Sequence, residues 1–168
     1  MIENTTLCYP EHNGRLLLLH RTKKERDINR DKWIGVGGHM EAGESPEDCI
    51  RREMREETGL TADELAFRGI VTFVYRETTE YMFLFTARKM RGASGMPVSD
   101  DTDLPECREG ELAWVSWEEI YALPIWEGDR IFLKLLQQNA PFFSLKLVYD
   151  DRGNLTEAVR DGHSVHLT

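Results

Sequence analysis

The chain has 168 residues, of which 40% are hydrophobic and 30% charged, and it carries a net charge of −9 at pH 7. These values are typical of one compact, ordered domain and exclude a disordered chain. No apolar run in the sequence, including residues 16–19, is long enough to cross a bilayer. The acidic balance argues against an extended nucleic-acid surface, which would need a basic stripe. A small phosphorylated ligand is compatible with this charge if a cation mediates the encounter.

The cysteines and the first residues indicate where the protein works. Three cysteines, at positions 8, 49 and 107, form an odd number without Cys-x-x-Cys spacing. They are typical of reduced thiols and predict neither a disulfide framework nor a zinc site. Residues 1–10 lack the basic start and the apolar stretch of a secretory signal. We therefore expect a cytoplasmic protein that crosses no membrane.

Alternating apolar residues and turn signals predict a chain dominated by strands. Asn13-Gly14 is typical of a two-residue hairpin turn, and the buried stretch GRLLLLH follows from Gly14. Strands are predicted at residues 5–9, 14–20, 67–76, 80–88, 111–116 and 142–149. Helices are predicted at residues 46–58, 117–123 and 127–138, and loops at 21–32 and 90–110. The tail after residue 155 has no clear pattern. Because strands and helices do not alternate regularly, an α+β fold with a mixed sheet packed between helices is favoured.

The segment 37–60 (GGHMEAGESPEDCIRREMREETGL) carries the most specific pattern in the chain. Ser45 is a suitable N-cap and Pro46 suits the first helical position. Gly59 suits the left-handed position that follows a helix. The pattern therefore predicts a helix over residues 46–58.

At about 100° per residue, the glutamates and the arginines of this helix fall on opposite sides. Glu53 and Glu57 form a like-charge i,i+4 pair, and Glu56 lies next to both, which costs stability on a solvated helix. Two interpretations are open at this point. The face is either a solvent-exposed surface with salt bridges, or a cluster of oxygen ligands for a hard cation such as Mg²⁺ or Mn²⁺.

The spacing in this segment resembles the Nudix box at every specified position: Gly38, Glu44, Arg52, Glu53, Met54, Glu56, Glu57, Gly59 and Leu60. The resemblance favours the metal interpretation. It implies a single Nudix domain over residues 1–168, with the box at 38–60 set in a mixed sheet between helices. It also implies that the protein is an enzyme that hydrolyses nucleoside diphosphates linked to another group, with Mg²⁺ as cofactor and Mn²⁺ able to substitute.

The resemblance also implies a role for each residue of the box. Glu53, Glu56 and Glu57 would bind the metal, assisted by the carbonyl of Gly38 or Gly37. Two further residues of the box, Glu44 and Arg52, would pair and brace the loop against the helix.

The acid that deprotonates the attacking water is left open by the resemblance. It would be one of the helix glutamates or Glu109, which lies on a later loop just before a predicted strand. An ordinary exposed loop acid is the alternative interpretation of Glu109.

Features outside the helix resemble the MutT-like subgroup, which hydrolyses oxidised purine triphosphates such as 8-oxo-dGTP. The stretch 33–38 (WIGVGG) is similar to its W-x-G-x-G-G lead-in, and Trp126 and Asp129 are similar to its purine-stacking and purine-bonding pair. Substrate-binding roles are thus expected for Trp33, His39, Trp126 and Asp129. Core packing of Trp126 and a helix N-terminal charge at Asp129 are the alternatives. Ile34 departs from the mammalian relatives, which have a base-reading asparagine there, and His39 departs from a common lysine.

Other functions are consistent with the same box. Hydrolysis of dinucleoside polyphosphates or ADP-sugars is the main alternative among enzymes. A catalytically silent module that senses a nucleotide is a second alternative, although such modules usually lose carboxylates that this chain keeps. An RNA-binding partner domain is disfavoured by the acidic charge and the lack of aromatic-basic clusters. We expect a small nucleotide as the binding partner.

Overall fold

The structure, a computed structural model, describes residues 1–167 and folds them into one mixed sheet of nine strands with three helices. The strands are β1 (Ile2–His12), β2 (Arg15–Arg21), β3 (Trp33–Ile34), β4 (Thr61–Tyr75), β5 (Thr78–Arg91), β6 (Gly110–Ser116), β7 (Phe143–Tyr149), β8 (Leu155–Arg160) and β9 (His163–Ser164). The helices are α1 (Pro46–Thr58), α2 (Trp117–Ile120) and α3 (Asp129–Gln137).

The strand order mixes parallel and antiparallel neighbours. The order is β3-β2-β1-β5-β4-β7-β8-β9, and β6 pairs with the other side of β2. Strand β1 is parallel to β5 and β4 is parallel to β7, whereas the remaining pairs are antiparallel. The predicted α+β fold with a mixed sheet is therefore confirmed.

The leucines of β2 show why the sheet needs helices on both faces. Leu17 belongs to the core cluster that contains Ile50 and Met54 of α1. Its neighbours Leu16 and Leu18 point the other way, into the cluster that contains the buried face of α3. A strand covered on both faces has no reason to alternate with polar residues. The unbroken apolar run at residues 16–19 is therefore the pattern expected of a strand that is covered on both faces.

Both predicted hairpins are present, and the second is longer than predicted. Asn13 and Gly14 have φ angles of 50° and 73°, as a tight turn with two left-handed residues requires. Strand β4 begins at residue 61, directly after α1, instead of at 67. The sequence pattern did not predict this extension, because it carries charged residues on an exposed surface. Asp63, for example, pairs with Arg91 of β5.

The end of the chain adds two strands that the sequence pattern did not predict. Strands β8 and β9 extend the sheet beyond β7, and Ala158 is the one residue of β8 that is buried. An edge strand with a single buried side chain has no periodic apolar signal.

Within residues 1–167, no helix is long and apolar enough to cross a membrane. All three cysteines are free and buried.

Candidate functional site

A cleft of about 500 Å³ gathers side chains from distant parts of the chain. Its acidic lining residues are Glu41, Glu53, Glu56, Glu57, Glu80, Glu109 and Asp129. Its basic lining residues are Arg21, Lys24, His39 and Arg52. Apolar and aromatic side chains cover the part of the cleft away from α1: Leu7, Ile34, Phe73, Met82 and Trp126. The cleft therefore has an acidic end and an aromatic end.

Helix α1 has the predicted bounds, and its caps hold it in place. The Ser45 hydroxyl accepts from the Asp48 N–H at 3.1 Å, and the Asp48 carboxyl accepts from the Ser45 N–H at 3.0 Å. This is a reciprocal capping box. At the other end Gly59 has φ 73°, which closes the helix. With Ile50 and Met54 buried in the core, the rotation of the helix is determined, and so is the direction of each glutamate.

The three box glutamates differ in exposure. Glu57 is 9% exposed, whereas the side chain of Glu56 is 60% exposed and that of Glu53 is largely buried. The Gly37 N–H donates to Glu57 Oε2 at 3.4 Å. Burial raises the pKa of Glu57 to about 8, and the charges of Glu109 and Glu53 add to the shift. Burial also raises the pKa of Glu53. Glu57, the most buried of the three, thus forms no ion pair within residues 1–167.

Arg52 ties the loop that precedes α1 to the helix. Its Nη2 donates to Glu44 Oε2 at 3.1 Å and to the His39 carbonyl at 3.1 Å, and its Nε donates to Glu44 Oε1. Hydrogen bonds from Arg52 lower the pKa of Glu44 to about 2. The guanidinium also contacts Glu53 at 2.8 Å and Glu56 at 3.3 Å. The structure thus places Glu44 and Arg52 in the pairing that the resemblance implied.

In this conformation the carboxylates do not converge on one point. Among residues 1–167, no three His, Cys, Asp or Glu side chains lie close enough together to hold a metal ion. Arg52 draws Glu53 and Glu56 towards itself, while Glu57 faces the Gly37 backbone. A cation therefore requires side-chain rotations away from Arg52.

The two glycines before the helix are packed against its glutamates and against β1. The Gly38 carbonyl accepts from the Thr6 N–H at 2.9 Å, which directs it towards β1. Its missing side chain leaves room for a carboxylate, because a Cβ there would lie 2.6 Å from Glu53 Oε1. Over the described range, no hydrogen bond to the Gly37 carbonyl is found. Gly37 is thus the better placed of the two carbonyls for a ligand role.

Glu109 reaches the acidic end from the loop before β6. Its Oε1 accepts from Lys24 at 3.0 Å, and its Oε2 accepts from Arg21. Its charge contributes to the raised pKa values of both Glu53 and Glu57, so it faces the same space as the helix acids. Lys24 is more than half exposed, which allows it to move towards an anionic ligand.

Trp126 lines the aromatic end of the cleft and also belongs to the core. It is 6% exposed and makes edge contacts with Phe73 and Tyr149, with ring centroids 5.2 and 4.9 Å apart. Its indole N–H donates to Asn29 Oδ1 at 2.7 Å. The two alternatives for Trp126 are therefore compatible, because a ring held by core contacts also lines the cleft.

Asp129 is the first residue of α3 and is 4% exposed. Its N–H donates to the Trp126 carbonyl at 3.0 Å, and its carboxyl forms no hydrogen bond with any of residues 1–167. Burial raises the pKa of Asp129 to about 8, although the positive charge of Lys32 opposes the shift and Glu80 adds to it. A neutral carboxyl at the cleft wall can both donate and accept a hydrogen bond.

The other two residues expected to bind substrate, Trp33 and His39, lie in different environments. Trp33 stacks on His20 across the β2–β3 pair, with centroids 4.5 Å apart and planes at 6°, and does not line the cleft. Strand pairing holds the ring against His20, and its expected substrate contact stays a prediction. His39 does line the cleft, and its exposed ring lies 3.3 Å from Glu3.

The lining residues that were not singled out from the sequence include Arg21, Lys24, Asn29, Phe73 and Glu80. Arg21 lies at the edge of a polar loop, and Asn29 lies within it. The sequence of this loop has no pattern that distinguishes either residue from its neighbours. Glu80 did have a signal, since it is an acid in an aromatic strand. Burial raises its pKa, and the Thr5 hydroxyl donates to it at 2.7 Å.

Comparison with known proteins gives matches over most of the chain. The NUDIX domain matches residues 5–136. An uncharacterised Nudix hydrolase, YvcI of Bacillus subtilis (strain 168), is 30% identical over 142 residues, which cover 82% of this chain and 80% of that protein. An oxidized purine nucleoside triphosphate hydrolase of Danio rerio is 31% identical over 137 residues, which cover 82% and 81%. The crystal structure of a mutator MutT protein from Bacillus halodurans superposes with a TM-score of 0.76 at 26% identity, over 95% of this chain and 97% of that one.

The buried Asp129 carboxyl makes the stability of the fold depend on pH. Between pH 3.8 and about 8 the folded chain keeps a proton that the unfolded chain loses, so the free energy of unfolding falls as pH rises through this window. Asp129→Asn removes this contribution. The melting temperature of the variant, relative to wild type, should therefore be higher at pH 8 than at pH 5, as measured by calorimetry.

Asp101→Asn, at an exposed position of the loop before β6, is the matched control for the Asp129 measurement. Its difference in melting temperature from wild type should be the same at both pH values. A gap for Asp129→Asn that is equal at pH 5 and pH 8 would show that the Asp129 carboxyl is ionised in the folded chain.

Proposed function

This chain belongs to the Nudix hydrolase family, and we propose that it uses Mg²⁺ to hydrolyse a purine nucleoside triphosphate to the monophosphate and pyrophosphate. Oxidised purines such as 8-oxo-dGTP are the proposed preferred substrates. Hydrolysis of pyrophosphate bonds with a divalent cation is general to the family. The identity of the cation, the nucleotide and the residues that bind them form the proposal.

One observation carries the proposal: Glu57 is a buried carboxyl that faces the cleft and forms no ion pair within residues 1–167. An isolated buried carboxylate is costly unless a cation or hydrogen bonds compensate it. Here the one hydrogen bond is the long contact from Gly37. A cation between Glu57 and its neighbours would supply the missing compensation.

The donor set fits a hard dication. Carboxylates of Glu53, Glu56 and Glu57 with the carbonyl of Gly37 are oxygen ligands of the kind that Mg²⁺ and Mn²⁺ prefer. When bound, such an ion neutralises phosphate oxygens and lowers the pKa of water. Arg52, once released by Glu53 and Glu56, keeps Glu44 and so continues to hold the loop.

Side chains on the opposite wall would bind the phosphates and accept the proton. Lys24 and Arg21 are the cations on this wall of an acidic cleft, so they would bind phosphate oxygens. We assign proton transfer to Glu109, which faces the helix glutamates without belonging to them. When Lys24 moves to a phosphate, Glu109 Oε1 loses its partner and becomes free to accept a proton from the attacking water.

The aromatic end supports a purine as the base. Phe73 and Trp126 form apolar walls, and the Asp129 carboxyl, which lines the same cleft, has no hydrogen-bond partner among residues 1–167. A relative of similar length, from Danio rerio, is named as a hydrolase of oxidized purine nucleoside triphosphates. A carboxyl that can donate or accept would bond the N–H groups or nitrogen acceptors of a purine edge.

Glu57→Gln tests the metal site. We expect turnover to fall by several orders of magnitude, because the amide keeps the shape but lacks the charge that holds the cation. We also expect weaker Mn²⁺ binding by calorimetry. The free energy of unfolding should be unchanged or higher, because the replaced carboxyl is buried without compensation.

Two further variants separate the roles at the acidic end. Glu47→Gln removes one charge from an exposed position of α1 and should leave turnover and Mn²⁺ binding unaltered. Glu109→Gln should lower turnover by about 10²–10⁴-fold, the range of a general base, while Mn²⁺ affinity stays near that of wild type. Near-wild-type turnover and Mn²⁺ affinity in Glu57→Gln would contradict the metal assignment.

A substrate panel tests the nucleotide. Pyrophosphate release from 8-oxo-dGTP should exceed that from dGTP by about tenfold or more in kcat/KM, because a polar contact to the altered base is worth at least that factor. ADP-ribose and diadenosine tetraphosphate represent the alternative enzymes and should be poor substrates. Equal, slow rates on the two forms of dGTP would contradict the preference for an oxidised base. Micromolar nucleotide binding without any turnover would indicate a sensing module.

A further inference from the structure

Asn29 is a polar side chain at the aromatic end of the cleft, brought there by the loop between β2 and β3. Its backbone N–H donates to Asp27 Oδ1 at 3.0 Å, and Asp27 in turn accepts from Arg21 Nε at 2.7 Å. The loop is thus tied to the end of β2 at the base of Asn29. These contacts give the side chain a defined position at the cleft wall.

Trp126 determines which way the Asn29 amide faces. An indole N–H can donate but cannot accept, so the atom 2.7 Å from Trp126 Nε1 must be the amide oxygen. The Nδ2 group therefore lies on the other side of the amide. No acceptor for Nδ2 is found among residues 1–167, so both of its hydrogens are available to a ligand.

The neighbouring cleft residues leave a place for such a donor. Ile34 lines the same end of the cleft and has no hydrogen-bonding side chain. Asp129 lines the same cleft, and its N–H donates to the Trp126 carbonyl. Asn29 and Asp129 are therefore two polar groups joined to one tryptophan, and Asn29 is the one with an obligatory donor.

We propose that Asn29 determines base specificity, with Nδ2 donating to the 6-oxo oxygen of a purine while the Asp129 carboxyl bonds the adjacent ring N–H. This assignment rests on the proposed function, which it narrows to triphosphates of 6-oxopurines such as guanine and 8-oxoguanine. An adenine presents an amino donor where the 6-oxo group would be, so the Asn29 donor disfavours it. Trp126 acts in this recognition as a positioning residue, because its N–H orients the amide.

Asn29→Asp is the decisive substitution. Aspartate has the same shape and keeps an oxygen for the Trp126 N–H, but it presents an acceptor to the base where asparagine presents a donor. We expect the ratio of kcat/KM for dGTP to that for dATP to fall by about tenfold or more, with the same direction for 8-oxo-dGTP against dATP. The change should lie mainly in KM, since Asn29 would contact the base and not the phosphates. Asn29→Ala, which loses both contacts, should bring the ratio towards one.

Asn139→Asp is the matched control, because it adds the same charge at an exposed turn beside Arg68, outside the cleft. It should leave the dGTP to dATP ratio unchanged. If wild type and this control hydrolyse the triphosphates but the ratio in Asn29→Asp stays within twofold of wild type, the base assignment is overturned and the proposed function stands. If wild type hydrolyses none of the triphosphates, the proposed function is overturned, and the assignment that depends on it fails as well.

Discussion

The burial of Glu57 is the constraint on which the rest of the site depends. The helix face that carries Ile50 and Met54 into the core also carries this carboxyl inside, so its position cannot change without unpacking α1. A buried carboxylate needs compensation. The charges of Glu109 and Glu53 raise the pKa of Glu57 further, and the Gly37 N–H and the charge of Arg21 oppose this only in part. The packing that stabilises the helix therefore also buries the Glu57 carboxyl, whose charge a bound cation would compensate.

Different elements of the fold form the two ends of the cleft. Helix α1 and the glycine loop form the acidic end, whereas β4, β5, the loop between β2 and β3 and the start of α3 form the aromatic end. No residue of the box belongs to the aromatic end, so under the proposed function the base would be selected without moving the glutamates. Such a separation would allow one box to serve several nucleotide classes within a single fold.

Two tryptophans illustrate how weakly a local motif predicts a contact. Trp33 stands in a stretch that resembles a substrate-binding lead-in, yet pairing of β2 with β3 stacks it on His20. Trp126 had a plausible alternative in core packing, and the structure gives it both environments at once. Which face of a ring remains accessible depends on the neighbours that the sheet brings to it, and those neighbours are distant in sequence.

The sequence by itself determined the local features: the bounds of α1, its caps and the tight turn at Asn13. These follow from dihedral preferences and helical periodicity, which involve only near neighbours along the chain. The predicted separation of glutamates from arginines is wrong at Arg52, which is long enough to contact both Glu53 and Glu56. The tertiary structure alone decided the unequal burial of the glutamates, the arrival of Glu109 opposite them and the contact between Asn29 and Trp126. Those two residues are 97 positions apart, and no periodicity within a segment encodes a distance between segments. Long-range packing is what converts a helix with an acidic edge into a cleft with two chemically different ends.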